Sequence, residues 1–144
     1  MDIKKDFKPG NTGKIYALQI PYDLAGNEHF LVSGDNAGVV RFYKRNGDGN
    51  PFMTMKYDAQ ISSISVQRNL TAVASKSIVH VFDMQQQLEL FELEHDWIVS
   101  CVKIFGKRLI TASQDGKVRI WNLINGEEVD QLTSNSKCQN FDLR

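Results

Sequence analysis

Few side chains in this sequence are of the kinds that do covalent or metal chemistry. The histidines are His29, His80 and His95, and the cysteines are Cys101 and Cys138. A metal site usually begins with two ligands offered by one local segment. No pair among these five stands at such a spacing, and neither cysteine has a Cys-x-x-Cys partner. The sequence also lacks a Gly-rich phosphate loop, a nucleophile elbow and a metalloprotease helix. Its carboxylates are scattered among turns and outer strands, where solvation is their ordinary role. The expectation is a chain without catalytic residues, bound metal or cofactor, whose work is recognition.

Bulk properties narrow the class of partner. Lys plus Arg balance Asp plus Glu, 17 against 17, over 144 residues. Such a chain has no net field to draw in nucleic acid or an anionic membrane, and Lys4-Lys5, Lys44-Arg45 and Lys107-Arg108 are dispersed pairs rather than a basic patch. An apolar fraction of 42% with 24% charged residues describes a globular chain. No apolar run approaches the roughly 20 residues that span a bilayer, and Met1 to Asp6 lack the apolar centre of a secretory signal. Cys101 and Cys138 lie 37 positions apart, close to the repeat period described next. They read as free thiols at equivalent positions in a reducing compartment, cytoplasmic or nuclear, rather than as a disulfide.

The elements that would position recognition residues come in a repeat. Val39 to Tyr43, Ile78 to Asp83 and Lys117 to Asn122 share one kind of phrase, and Tyr43, Phe82 and Trp121 are spaced by 39 and again by 39. A fixed period with an aromatic closing each apolar run indicates repeat architecture. Each unit resolves into four short strands rich in Val, Ile, Phe, Tyr and Thr and punctuated by Gly, Asn, Asp, Ser or Lys. Unit one carries Lys14–Ile20, Phe30–Ser33, Val39–Tyr43 and Phe52–Met55. Unit two carries Ile61–Val66, Thr71–Ser75, Ile78–Phe82 and Leu88–Leu93. Unit three carries Val99–Ile104, Leu109–Ser113, Lys117–Trp121 and Glu128–Leu132. Many runs are apolar on both sides, as sheets covered on both faces require. The fold class expected is all-β, with four-stranded antiparallel blades stacked side by side.

Leu109 to Asn122, with Asp115-Gly116 in its turn and Trp121 at its end, resembles the central stretch of a WD40 repeat. His95, 20 residues before Asp115, stands where that family places the histidine of its Gly-His pair, although Glu94 replaces the glycine and Trp121-Asn122 the Trp-Asp. The resemblance implies a WD40-like β-propeller segment and a structural network of His95, Thr111, Asp115 and Trp121. In that network Asp115 accepts from His95, His95 is tied to the Thr111 hydroxyl, and the indole donor is satisfied. The other units are worn. Tyr57 stands at the histidine position of unit two, its tight turn is shortened to Lys76-Ser77, and Phe82-Asp83 replaces Trp-Asp. In unit one Asn11 falls at the histidine position and Ala37 at the aspartate position, with Asp35 close by.

The organisation that follows is residues 1–13 as an N-terminal segment able to act as a latch strand, 14–56 as blade 1, 57–94 as blade 2, 95–133 as blade 3, and 134–144 as the first strand of a fourth blade. An open stack would leave apolar faces uncovered, at roughly 10 kcal/mol per ~400 Å² face. Ring closure is therefore expected from further blades, from a second copy, or from a partner capping an open arc.

In a propeller the loops entering each first strand share one face with the turns between second and third strands. Here that face would carry Lys14, Tyr16, Asn11, Asn36, Asp58, Gln60, Asp96, Trp97 and Gln114. Trp97 has two readings, an exposed anchor for a partner or a side chain packed on the neighbouring blade. Tyr16 has likewise two, the channel mouth or the core. The longer loops of unit one, Pro21 to His29 and Lys44 to Pro51, lie on the opposite face. The function implied is a non-catalytic scaffold mediating protein–protein interactions in a multi-subunit complex. The alternatives are an RNA-associated subunit of a processing or translation complex and the substrate-recognition part of a ubiquitin ligase. The third-strand endings Phe82-Asp83-Met84-Gln85 and Trp121-Asn122-Leu123-Ile124 lack the Arg of the Trp-Asp-x-Arg motif that ligase receptors of this family carry, which weighs against the last.

Overall fold

The structure, a computed structural model, describes residues 15–19 as backbone and residues 30–44 and 47–133 in full. Among the described residues, twelve strands form three antiparallel four-stranded sheets, each in sequence order. Sheet one contains β1 (Ile15–Gln19), β2 (Phe30–Asp35), β3 (Val39–Lys44) and β4 (Pro51–Lys56). Sheet two contains β5 (Ile61–Gln67), β6 (Leu70–Ser75), β7 (Ile78–Asp83) and β8 (Leu88–Glu94). Sheet three contains β9 (Val99–Phe105), β10 (Arg108–Ser113), β11 (Lys117–Asn122) and β12 (Glu128–Thr133). Every strand overlaps a run expected from the sequence, and most observed strands extend one residue beyond it. The segments 1–13 and 134–144, with the latch and fourth-blade readings, lie outside the described residues.

The sheets stack face to face, and the apolar residues divide accordingly. Val32, Val40 and Phe42 of sheet one meet Ile61, Ile64, Val66 and Val73 of sheet two. Val79, Val81 and Leu93 of sheet two meet Val102, Ile104, Leu109 and Trp121 of sheet three. Alternate residues of one strand thus enter different cores, which is why β2 and β6 read as nearly unbroken buried runs. The outermost strand β12 is exposed throughout, and its Glu128, Asp130 and Gln131 keep that edge from pairing.

Two local devices allow the close stacking. At Gly34 a side chain's first carbon would stand 2.4 Å from Ile61 Cγ2, so the approach of sheets one and two requires glycine there. Between the innermost strands β5 and β9, serine hydroxyls replace a ladder. Ser62 Oγ donates to the Val99 carbonyl at 2.7 Å, while the amides of Val102 and Ile104 donate to Ser63 Oγ at 3.1 Å and Ser65 Oγ at 2.9 Å. Blades that fan out from an axis cannot pair edge to edge along their length, and these hydroxyls satisfy backbone groups that the splay leaves open.

Every sheet carries the same irregularity in its fourth strand. Pairing skips Phe52, Leu90 and Val129, where the register shifts between Phe42/Tyr43, Val81/Phe82 and Ile120/Trp121. Such a bulge reverses the alternation of side chains, so residues three apart across it share one face.

Candidate functional site

The loops that enter β5 and β9 are bound to the turns between second and third strands. Ser75 Oγ donates to the Ala59 carbonyl at 2.8 Å, the Tyr57 amide to the Gly38 carbonyl at 2.8 Å, and the Val99 amide to the Lys76 carbonyl at 2.8 Å. Near Trp97, Ser113 Oγ donates to the carbonyls of Trp97 and Ile98, and the Gln114 amide donates to Ile98 at 2.8 Å. These bonds gather the loops and turns onto one face. Trp97 is 57% exposed there, so its side chain does not pack away against the neighbouring sheet. Asn36, Asp58, Gln60 and Asp96 are exposed on the same face and Gln114 is half-buried. Lys14 and Asn11 lie outside the described residues, as does the side chain of Tyr16, which falls within β1.

Behind Trp97 lies a buried polar cluster. His95 Nδ1 stands 3.0 Å from the Leu93 carbonyl and Nε2 stands 2.7 Å from Thr111 Oγ1, while Trp121 Nε1 donates to the same hydroxyl at 3.1 Å. One tautomer satisfies all three contacts: Nδ1–H donates to Leu93, the Thr111 hydroxyl donates to Nε2, and the hydroxyl accepts from the indole. Burial, then the nearby Arg119 charge, lowers the His95 pKa below its ordinary value and keeps the ring neutral.

Asp115 does not take part in this cluster, contrary to the four-membered network that the family resemblance implies. Both His95 ring nitrogens are already engaged, and the Asp115 carboxylate turns to the other side of its turn. Its Oδ1 accepts the Lys117 amide at 2.9 Å and its Oδ2 accepts from Arg119 Nη2 at 2.7 Å. Burial raises the Asp115 pKa, but the Arg119 and Lys117 contacts outweigh it and hold the carboxyl below its ordinary value. Arg119, its side chain 5% exposed, also reaches Asp96 Oδ2 at 3.3 Å and lies 3.8 Å from Glu128 Oε1. The polar residues of sheet three therefore form two units, a neutral His-Thr-Trp triad and a guanidinium ringed by carboxylates.

Sheet one rebuilds the second unit with a shifted residue. Ala37 occupies the position of Asp115, yet Asp35 Oδ1 accepts the amides of Ala37 at 2.9 Å and Val39 at 3.0 Å, and Oδ2 accepts from Arg41 at 2.7 Å. A short carboxylate two residues earlier thus reaches the same arginine position, across a turn closed by Gly38 at a φ of 84° as Gly116 closes that of sheet three at 83°. Sheet two has neither unit. Its turn is closed by Lys76 with a φ of 53°, and Tyr57, Val73 and Phe82 take the places of His95, Thr111 and Trp121; the hydroxyl of Thr71, at the place of Leu109, has no hydrogen-bond partner.

Sequence spacing passed over three residues that the fold assembles. His80 Nδ1 is 2.5 Å from Glu89 Oε1 and 3.6 Å from Glu92 Oε1, under a Tyr57 ring whose centroid is 4.3 Å away. A search for ligands along the chain cannot find them, because Glu89 and Glu92 flank the bulge at Leu90 and meet His80 across strands. The signal present was the repeat itself, which sets His80 against Arg41 and Arg119 at 39-residue spacing. Cys101 is half-buried on β9, and Cys138 lies outside the described residues.

A family model described as WD domain, G-beta repeat matches residues 87–122. No curated protein matches the chain. Among solved structures, Sqt1 of Saccharomyces cerevisiae is similar with a TM-score of 0.82 at 19% identity, over 89% of this chain and 38% of that one. The computationally designed Ika4 protein is similar at 0.80 and 16% identity, over 95% of this chain and 84% of that one. The computationally designed Ika8 protein is similar at 0.78 and 16%, over 90% and 39%. At these identities the structures bear on the fold. Residues 87–122 thus carry a WD domain, G-beta repeat, and the three four-stranded blades around it have the fold of the β-propeller structures the chain is similar to.

Proposed function

We propose that this chain is a non-catalytic scaffold of a multi-subunit complex, holding a protein partner on the face that carries Trp97. WD40 domains generally bind other proteins, and the rigid presentation of many loops is what the architecture offers. The observation that carries the assignment is the exposed Trp97 beside exposed Ile98, both on backbone pinned by Ser113 and Gln114. A rigid, half-solvated indole loses little freedom on binding, which makes such residues anchors of interfaces. Asp58, Gln60 and Asp96 supply the polar rim around it. The location that goes with this reading is cytoplasmic or nuclear, with Cys101 and Cys138 read as thiols of a reducing compartment.

The test is quantitative affinity capture from cells expressing tagged chain, comparing Trp97→Ala with Ile124→Ala. Ile124 is 70% exposed in the β11–β12 loop on the opposite face, where the Leu123 amide donates to Lys107. The expected result is loss of specific partners with Trp97→Ala and retention with Ile124→Ala. Equal capture by both variants would overturn the assignment of this face.

A further inference from the structure

We propose that His80, Glu89 and Glu92 form a binding site for a divalent transition-metal ion of the Zn2+ class, set in the groove between sheets one and two. The three residues can each present one ligand atom, and these atoms all lie within 4.8 Å of one another. Tetrahedral bonds of about 2.1 Å place ligand atoms about 3.4 Å apart. The His80–Glu92 pair is at 3.6 Å, and the 2.5 Å His80–Glu89 contact opens to that distance by rotation of a glutamate at the surface. A proton held between His80 Nδ1 and Glu89 is what a metal ion would displace.

Comparison among the repeats points to a cation here. The places of His80 in sheets one and three hold arginines, each with a carboxylate at 2.7 Å. In sheet three, Lys117 and Arg119 together bridge Asp96, Asp115 and Glu128. The corresponding positions of sheet two are Ile78 and His80, while Asp58 and Glu89 remain where Asp96 and Glu128 stand, and Glu92 is added. Two of the three carboxylates are kept, the turn aspartate is lost, and the long buried guanidinium is replaced by a shorter imidazole that leaves room in front of it. That room is a groove of about 510 Å³ lined by Tyr57, Asp58, His80, Glu89 and Glu92, with Lys56 and Lys76 at its borders. The bulge at Leu90 turns both glutamates toward it, and the Tyr57 ring, tilted 33° to the imidazole at 4.3 Å, packs against one side of it. An imidazole ligand selects Zn2+ and its first-row neighbours over Mg2+ and Ca2+, which take oxygen.

The experiment is calorimetric titration of the chelator-treated chain with Zn2+, with Mg2+ as the oxygen-seeking counter-probe. One Zn2+ per chain is expected, with proton release and no response to Mg2+. Glu92→Gln, whose side chain is 60% exposed and whose loss leaves the fold intact, should weaken Zn2+ by at least about tenfold. His80→Arg, which restores the residue type of the neighbouring repeats, should abolish binding. A Cys101→Ser/Cys138→Ser chain should bind as before. Undiminished affinity in Glu92→Gln and His80→Arg, loss of binding in the cysteine variant, or no Zn2+ binding below about 1 mM would each overturn the site. If His80→Arg does not fold, Glu92→Gln and the cysteine variant decide.

Discussion

Sheets two and three are built on the same period, strand order and bulge, yet they close their third strands by different chemistry. In sheet three a threonine hydroxyl sits between an imidazole and an indole, and a buried arginine sits among carboxylates. In sheet two the ring positions are Tyr57 and Phe82, the arginine is His80, and Val73, which pairs with His80 as Thr111 does with Arg119, brings no hydroxyl at all. Apolar stacking is indifferent to which polar groups surround it, so the sheets share one fold. The polar clusters are not interchangeable, because each buried donor needs its own acceptor. The difference teaches that the repeat's signature residues are one way of closing a blade, and that a blade which drops them becomes free to carry something else in the vacated groove.

The largest effect should come from the ion cluster. Asp115→Ala leaves the buried Arg119 with only the exposed Asp96 and the distant Glu128, and should cost about 3 kcal/mol in denaturant unfolding. A loss below about 1 kcal/mol would show that Asp96 suffices.

Next comes the contrast between the two hydroxyls. Thr111→Val strands the Trp121 indole donor and the His95 acceptor together and should cost about 2–3 kcal/mol. Thr71→Val removes a hydroxyl that makes no hydrogen bond and should be neutral or stabilising by up to about 1 kcal/mol. Equal losses at the two sites would break the comparison.

pH should separate the sheets in opposite directions. Stability that comes from a lowered folded-state pKa is fully present above the unfolded value and is lost as pH falls through the folded one. For His95 that loss begins below about pH 6.5, and for Asp115 below about pH 4, so sheet three should loosen in acid. Burial first, then the Glu89 charge, raises the Tyr57 pKa well above its ordinary value. A raised acid gives stability that is present below about pH 10 and lost as pH rises through its folded value, so the interface of sheets one and two should loosen in alkali. Denaturant unfolding at about pH 3.5, 7 and 11, followed by the fluorescence of Trp121 in sheet three and Trp97 beside it and by ultraviolet titration of tyrosine, would read both. Identical profiles would contradict the assignment of these groups.

The smallest effect is expected at the surface. Trp97→Ala should change unfolding stability by less than about 0.5 kcal/mol, because the indole is exposed. A larger loss would show that Trp97 serves the fold rather than a partner.

Much of this was legible in the residues and their spacing. The 39-residue recurrence of Tyr43, Phe82 and Trp121, with runs of β-branched residues between turns, located all twelve strands within a residue or two. That is possible because strand formation follows local composition and a period of two. The pairing of His95, Thr111 and Trp121 was legible only through family resemblance, and the placement of Asp115 beside His95 was wrong. Arg119 lies four residues from Asp115 on the same hairpin, and a local charge of opposite sign wins over a ring whose nitrogens are already engaged.

The sequence by itself therefore determined the repeat, the blade and the face on which the loops gather. Tertiary structure alone decided which carboxylate serves which cation, that Asp35 stands in for a missing turn aspartate, that Trp97 points to solvent, and that Glu89 and Glu92 converge on His80. The physical reason is register. A single skipped residue at Leu90 reverses the faces of a strand, and no count along the chain can reveal it until the partner strand is in place.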